Sequence, residues 1–186
     1  MRVLGIDPGS ETTGWGVVDG DARRYAAVDF GTVKANPRER FAARLLKISV
    51  GVEALIEKFR PDVCAVEEAF FAVNAGTALK LGHVRGVVLL AAERAGCEIA
   101  EYAPRLIKQT VVGYGAAEKQ QVQEMMRVLL KLSAVPTPHD ASDALAIAVT
   151  HLHHAKRPEL SKTKAAPARA KLEALLAANP RRRAPR

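Results

Sequence analysis

The sequence lacks the features that would tie it to a membrane, a disulfide framework or a bound nucleotide. It has no run of about 18 apolar residues, the length that spans a bilayer, and its first residues lack a signal-peptide pattern, so we expect a cytoplasmic protein without membrane contact. The two cysteines, Cys64 and Cys97, lie in apolar stretches without metal-ligand spacing, which favours buried thiols over a disulfide. The stretch from Gly113 to Lys119 lacks the GK[ST] ending of a Walker A loop.

Excess positive charge is also absent from most of the chain, although the net charge is +8. Residues 156–186 contain ten Lys/Arg and two Glu, whereas residues 1–155 contain 18 basic and 18 acidic residues. We therefore expect one domain over residues 1–155 and a basic, disordered tail over residues 156–186. Such a tail strengthens binding to phosphates without specificity, so a nucleic-acid function of the domain must rest on local groups.

The first fourteen residues, MRVLGIDPGSETTG, have the pattern of a buried strand that ends in a tight turn. Asp7 occupies the last strand position, and Gly14 and Gly16 are expected to let a second strand, around Trp15, return close beside the first. A third strand is predicted over residues 24–33, which completes an antiparallel meander. A carboxylate at Asp7 is costly to bury unless it is paired or binds a metal, although it could also simply cap the turn.

Helices alternate with short apolar strands after the meander. Further elements are predicted as helices over residues 40–59, 118–132 and 139–154 and as strands over residues 63–66 and 98–102. Asn36-Pro37 is expected to open the first helix, because Pro suits a first helical turn. This order predicts an α/β fold with a mixed five-stranded sheet, an antiparallel meander followed by parallel strands, flanked by helices.

Residues 84–92 (VRGVVLLAA) form a stretch that is apolar nearly all round. A helix without a polar face is buried on more than one side. The core accounts for one side, and a subunit interface is a candidate for the other.

Acidic residues stand at the ends of three predicted elements. Asp7 and Glu67 end strands, and Asp140 and Asp143 share a face at the start of the last helix. Strand ends at one edge of an α/β sheet are where sites form, so we expect the four carboxylates to converge. Taken singly, Glu67 could be a solvated strand end and Asp140 a favourable acid at a helix N-terminus.

Four converging carboxylates repel one another and stay ionised only when cations bind them. Oxygen ligands without a His/Cys set favour Mg²⁺ or Mn²⁺ over Zn²⁺. Two such ions about 4 Å apart can activate a water and stabilise the leaving oxygen in phosphoryl chemistry. His139, next to Asp140, could shuttle a proton or bind metal, but a surface histidine is the favoured interpretation.

Four ordered segments carry a family resemblance. Together, GIDPGSETTGWGVV, AVEEAFFAVNAGTALKLGHVRGV, KQTVVGYGAAEKQQVQ and HDASDALAIAVTH resemble RuvC, the bacterial Holliday-junction resolvase family, over about the first 155 residues. The resemblance implies an RNase H-like fold, a homodimer, two Mg²⁺ or Mn²⁺ ions per active site and cleavage of two opposed strands of a four-way DNA junction. It also implies RuvA- and RuvB-type proteins of branch migration as partners.

The resemblance assigns the four acids Asp7, Glu67, Asp140 and Asp143 to the catalytic positions of the family. Glu67 matches rather than Glu68, because the family's Glu stands three residues before the aromatic that is Phe70 here.

Basic and aromatic positions follow from the same resemblance. Lys108 and Lys119 match residues of the family's catalysis and DNA handling, and Phe70 matches an aromatic that acts on bases at the junction centre. Because an acid cluster alone repels DNA, Lys80 and Arg85 are further candidate DNA contacts. Solvated surface charges would also explain both.

Three classes of function are compared. A structure-selective DNA endonuclease of recombination and repair, which hydrolyses junction phosphodiesters symmetrically and leaves 5′-phosphates, is the expected function. An ATP-dependent phosphotransferase of the actin-like or sugar-kinase type shares the fold and an acid-glycine start such as Asp7-Pro8-Gly9, but needs a second Gly-rich loop and a larger chain. A non-catalytic junction-binding module would not need the full acid set.

Overall fold

A computed structural model describes residues 1–68 and 74–155 of the chain. Its elements, in chain order, are β1 (Arg2–Asp7), β2 (Thr12–Gly20), β3 (Tyr25–Lys34), α1 (Phe41–Phe59), β4 (Val63–Glu67), α2 (Ala75–Arg94), β5 (Glu98–Tyr102), α3 (Pro104–Val112), α4 (Lys119–Leu129) and α5 (His139–His154). Phe70 and the predicted tail lie outside the described residues. No helix in the described part of the chain is both long and apolar enough to cross a membrane.

One mixed sheet organises these elements, with the strand order β3-β2-β1-β4-β5. The pairs β1–β2 and β2–β3 are antiparallel, and the pairs β1–β4 and β4–β5 are parallel. The predicted sheet is therefore confirmed, with its meander and its parallel strands. Because β1 is central, the strand end that carries Asp7 is flanked by β2 on one side and β4 on the other.

Helices cover both faces of the sheet. Val3 of β1 packs in the core beneath α5, whereas Leu4 and Ile6 pack in the core beneath α1 and α2. Since successive strand residues point to opposite faces, Gly5 and Asp7 lie on the α5 face together with Val3. The face that α5 covers is therefore the face of the candidate site.

Glycines mark the line along which α5 crosses β1 and β2. A Cβ atom on Gly5 would come within 2.0 Å of the carbonyl oxygen of Ala144, and one on Gly14 within 1.9 Å of that of Asp140. A Cβ atom on Gly16 would also meet α5. The glycines thus admit a helix against the sheet, which corrects the role predicted for Gly14 and Gly16 in the close return of β2.

The helix α1 matches the predicted range of residues 40–59 to within one residue, but it does not open at Asn36-Pro37. Asn36 Oδ1 accepts a hydrogen bond from the Arg38 amide at 3.0 Å, so Pro37 lies in a separate Asx turn. The helix starts at Phe41. The expectation that Asn36-Pro37 opens it is wrong, because the asparagine side chain supplies a turn that competes with the helix.

The apolar helix α2 is buried on one face only within the described structure. Val84 and Val88 are buried, whereas Leu79 is 65% and Leu90 is 53% exposed. The exposed face borders a groove of about 590 Å³, here called the α2 groove, which is lined by residues including Leu45, Leu79, His83, Val87 and Leu90. The residues that the structure describes thus leave the second side of α2, which the sequence predicts to be covered, exposed.

Both cysteines are free thiols. Cys64 is buried in β4, and Cys97 is partly buried. Burial raises the pKa of Cys64 to about 12, so its thiol is neutral and unreactive at ordinary pH. The interpretation of the cysteines as unpaired apolar residues is confirmed.

Candidate active site

Asp7 and Glu67 end two neighbouring parallel strands. The β1–β4 ladder pairs Ile6 with Val66, so the residues that follow, Asp7 and Glu67, stand side by side at the carboxyl edge of the sheet. Burial raises the pKa of both side chains, and a hydrogen bond between them adds to the rise at Asp7 and offsets part of it at Glu67. This hydrogen bond requires one proton held between the two carboxyl groups, because two ionised carboxylates have no proton to share.

The helix α5 brings two more acids to the same place. Gly14 is the ladder partner of Asp7, and the backbone of Asp140 lies directly over Gly14. Asp143 follows Asp140 by about one helical turn and shares its face. The charges of Asp140 and Asp143 both raise the pKa of Asp7, so the structure brings all four sequence-predicted acids together.

Burial is the largest electrostatic effect in this cluster. Desolvation, followed by the charges of Glu67, Asp143 and Asp140, raises the pKa of Asp7 to about 8. Desolvation is also the main cause that raises the pKa of Glu67 and of Asp143. Without a cation, the cluster therefore carries fewer negative charges at neutral pH than its four carboxyl groups suggest.

Two lysines border the acids. Lys119, the first residue of α4, places its Nζ atom 3.5 Å from Asp143 Oδ2. Burial raises the pKa of Asp143 and of Glu67. The positive charge of Lys119 offsets part of the rise at Asp143, and the charges of Lys119 and Lys108 offset part of it at Glu67. Lys108 lies on α3 and is half-buried. Both predicted lysines are therefore in electrostatic contact with the cluster.

Among the residues that the structure describes, the remaining sequence-predicted ones form no ion pair with the four acids. Arg85 forms an ion pair with Glu101 of β5, so its charge is balanced within the chain. Lys80 is exposed on α2. His139 is exposed at the start of α5, and its charge lowers the pKa of Asp143. The prediction for Phe70 falls on a residue outside the described ones.

The acid cluster fits a hard divalent cation by its chemistry. Within residues 1–68 and 74–155, no three His, Cys, Asp or Glu side chains are already gathered closely enough to hold a metal ion. The four acids offer oxygen ligands alone, the donor type that Mg²⁺ and Mn²⁺ prefer, and a cation would take the place of the shared proton.

Sequence reasoning missed Arg44, a buried cation that holds the turn after Asp7. Arg44 is 7% exposed, and its Nε atom donates to the Ser10 carbonyl oxygen at 3.0 Å, as does its terminal Nη2 atom. The Thr13 hydroxyl donates to the Gly9 carbonyl oxygen at 2.8 Å. A signal was present, because Arg44 interrupts the buried helical stripe that continues with Ile48.

The sheet order, the acids at adjacent strand ends and the covering helix define an α/β protein of the RNase H-like class. The yeast mitochondrial Holliday junction resolvase Ydc2 shares this fold with a TM-score of 0.58 at 16% identity, over 82% of this chain and 79% of its own.

Relatives with higher sequence identity identify the family within this fold class. The sequence profile of the family described as crossover junction endodeoxyribonuclease RuvC matches residues 3–151. The crossover junction endodeoxyribonuclease RuvC of Chloroflexus aggregans is 50% identical over 155 residues, which are 83% of this chain and 94% of that protein. The structure of T. thermophilus RuvC in complex with a Holliday junction substrate matches with a TM-score of 0.77 at 40% identity, covering 81% of this chain and 92% of that one. The chain belongs to the RuvC family of crossover junction endodeoxyribonucleases.

Proposed function

We propose that this chain resolves four-way DNA junctions by hydrolysing one phosphodiester in each of two opposed strands, with Asp7, Glu67, Asp140 and Asp143 as ligands of two Mg²⁺ or Mn²⁺ ions. The convergence of these four acids carries the proposal, because together with burial they raise the pKa of Asp7 to about 8. Carboxyl groups that resist ionisation on their own are stabilised in the ionised form by a bound cation. Relatives that match most of the chain are named crossover junction endodeoxyribonucleases.

The acids and the lysines of the site have different roles in the proposed reaction. Two divalent cations bound here would supply an activated water and stabilise the leaving oxygen of an in-line displacement. Asp7 and Glu67 would hold a cation with their carboxylate oxygens and would release the proton that they share to solvent. Lys108 and Lys119 offset the negative potential of the acids, so that a phosphodiester can approach.

Symmetric cleavage requires two equivalent sites, and a homodimer supplies them. A four-way junction has approximate two-fold symmetry, which matches the symmetry of a dimer with one site in each subunit. The α2 groove, with Leu79 and Leu90 exposed, is the surface that a second copy would cover. The proposal also includes a cytoplasmic location and docking to RuvA- and RuvB-type branch-migration proteins, both of which the family implies.

The deciding experiment is cleavage of a synthetic four-way junction with and without Mg²⁺ or Mn²⁺. We expect paired, symmetric nicks with 5′-phosphate ends that depend on the metal. Asp7→Asn and Glu67→Gln should abolish nicking and retain junction binding. Glu68→Gln is the matched control, since it removes the adjacent charge outside the cluster, and it should nick like the wild type.

Two outcomes would contradict the proposal. Nicking by Asp7→Asn would show that the acid cluster is dispensable, and loss of junction binding by a folded Asp7→Asn variant would give the acid a different role. ATP hydrolysis by the wild type, without junction cleavage, would favour the phosphotransferase class instead. Junction binding without any cleavage would favour a non-catalytic module.

A further inference from the structure

Two of the candidate DNA-contact cations are already engaged by carboxylates of the chain. Lys119 contacts Asp143, and Arg85 pairs with Glu101. A DNA arm that leaves the site carries further phosphates, which need positive partners on the protein. Residues 1–155 have no overall excess of positive charge to provide them, because their basic and acidic residues are equal in number. Binding of that arm therefore depends on where uncompensated cations gather.

Four exposed cations gather in the stretch of residues 34–47, where β3 ends and α1 begins. They are Lys34, Arg38, Arg40 and Lys47, and none forms an ion pair with a residue that the structure describes. Glu39 is the one acid of the stretch. This surface, here called the β3–α1 corner, therefore has a clear positive excess.

The β3–α1 corner contains a groove. Its volume is about 430 Å³, and it is lined by residues that include Thr12, Lys34, Asn36 and Lys47. Glu11 also lines the groove, and its carboxylate faces the Arg44 guanidinium at 3.9 Å. Two ammonium groups, a hydroxyl and an amide offer the donors that sugar-phosphate backbones accept.

The position of Lys34 relative to the acids follows from the sheet register. Asp7 pairs with Gly14 and Gly14 with Thr32, so Lys34 lies two strands away and two residues further along, on the same face. With strands about 4.8 Å apart and about 3.4 Å per residue, the Cα atoms of Asp7 and Lys34 are about 12 Å apart. Measured along the axis of a duplex arm, this distance corresponds to about three to four nucleotides of one strand.

A rigid connection joins the corner to the acids. The turn Pro8–Glu11 runs from Asp7 to the edge of the groove, and the buried Arg44 of α1 donates two hydrogen bonds to the Ser10 carbonyl oxygen. The Ala35 amide donates to the Glu11 carbonyl oxygen at 2.8 Å. The wall of the groove and the turn behind Asp7 are therefore held in one arrangement.

We propose that the β3–α1 corner binds the sugar-phosphate backbone of a junction arm about three to four nucleotides from the phosphate that is cut. This inference rests on the proposed function and adds a second phosphate-binding subsite to it. Lys34 and Lys47 make the contacts from the two walls of the groove, and Arg38 and Arg40 extend the positive surface along the arm.

A matched pair of double variants tests the subsite. Lys34→Gln/Lys47→Gln removes two charges from the corner. Arg23→Gln/Arg24→Gln removes two charges from the opposite end of the β2–β3 hairpin, with the same change in net charge. Binding of a labelled four-way junction is measured by fluorescence anisotropy in EDTA over a series of salt concentrations, and thermal unfolding checks that both variants fold.

We expect the corner variant to bind the junction about 10-fold or more weakly at ~0.1 M salt, with a salt slope smaller by about 2, because each lost phosphate contact removes about 0.9 from the slope. The control variant should bind like the wild type. On a junction whose arms end just beyond the cut phosphates, the wild type and the corner variant should bind equally, since the arm no longer reaches the corner.

Equal losses in both double variants, or no loss in the corner variant, would overturn the subsite while leaving the proposed function intact. A corner variant that remains weaker on the short-armed junction would overturn the placement along the arm. Wild-type protein that neither binds nor nicks the junction would overturn the proposed function, and this inference with it.

Discussion

Gly14 lies directly beneath the backbone of Asp140: a Cβ atom on Gly14 would come 1.9 Å from the Asp140 carbonyl oxygen. Gly14 is also the β-ladder partner of Asp7. The contact therefore sets how closely the first turn of α5 approaches the end of β1. The distance between Asp7 and Asp140, which are far apart in the sequence, therefore depends on the absence of a side-chain methyl group at Gly14.

The first prediction follows from this contact. Gly14→Ala should lower the free energy of unfolding by about 1–3 kcal/mol, because α5 must move off the sheet to admit the methyl group. The variant should also bind Mn²⁺ more weakly, since the movement separates Asp140 and Asp143 from Asp7. Thermal or denaturant unfolding and isothermal titration with Mn²⁺ measure the two effects. Unchanged Mn²⁺ affinity in a folded Gly14→Ala protein would contradict the argument.

The second prediction concerns pH and stability without metal. The ordinary pKa of an aspartate is 3.8, and burial with three neighbouring acids raises that of Asp7 to about 8. Between these values the folded protein holds a proton that the unfolded chain has released, so the free energy of unfolding should fall as pH rises through this window. Above pH 8 the contribution of Asp7 is constant.

Asp7→Asn removes this titration and provides the measurement. In EDTA near pH 8, the variant should unfold at a higher temperature than the wild type, and the difference should shrink as pH falls toward 3.8. Adding Mn²⁺ should stabilise the wild type and leave the variant nearly unchanged. A variant less stable than the wild type across the whole range would mean that Asp7 is ionised and compensated in the metal-free protein.

The third prediction separates metal binding from DNA binding at Lys119. This side chain is 66% exposed, and its Nζ atom is 3.5 Å from Asp143 Oδ2. In Lys119→Gln, Mn²⁺ should bind at least as tightly, because a competing cation is gone, whereas the junction should bind more weakly, because a phosphate partner is lost. Lys131→Gln, an exposed change after the other end of α4, is the control for both titrations. Weaker binding of Mn²⁺ and DNA together would indicate a structural role for Lys119.

The fourth prediction tests the α2 groove as the contact between subunits. Leu90 is 53% exposed, and Leu90→Glu would place a charge on the face that a second copy covers. We expect a dimer of the wild type and a monomer of Leu90→Glu in sedimentation experiments. Val128→Glu on α4, at 52% exposure, is the matched control and should remain dimeric. A Leu90→Glu dimer as stable as the wild type would place the interface elsewhere.

The sheet was predictable because its strands carry local signals. β4 is a short run of buried residues that ends at Glu67, and β5 spans Glu98–Tyr102, the range that its pattern predicts. The two antiparallel pairs followed by two parallel pairs also follow from a meander joined to strand-helix units. The separation of Asn36-Pro37 from α1 was not predictable in this way, since the turn that Asn36 makes with the Arg38 amide competes locally with the helix.

The four acids could be predicted as candidate site residues, whereas the contacts made by the arginines Arg44 and Arg85 could not. Strand-end position and family motifs single out Asp7, Glu67, Asp140 and Asp143 from the sequence. Arg44 could not be assigned to the same site, because its partner, the Ser10 carbonyl oxygen, lies 34 residues away and belongs to the backbone. The ion pair of Arg85 with Glu101 was hidden for the same reason: sequence shows charges without showing which of them meet.

Local signals along the chain, namely hydrophobic period, turn residues and motifs, are enough to predict the order of the elements, the residue types of the site and the family. The close approach of α5 to Gly5, Gly14 and Gly16, which lets its acids change the ionisation of Asp7, is seen only in the folded chain. The same holds for the face of α2 that the described residues leave uncovered. Both outcomes depend on packing between distant segments, and the free energy of packing depends on which surfaces meet in space.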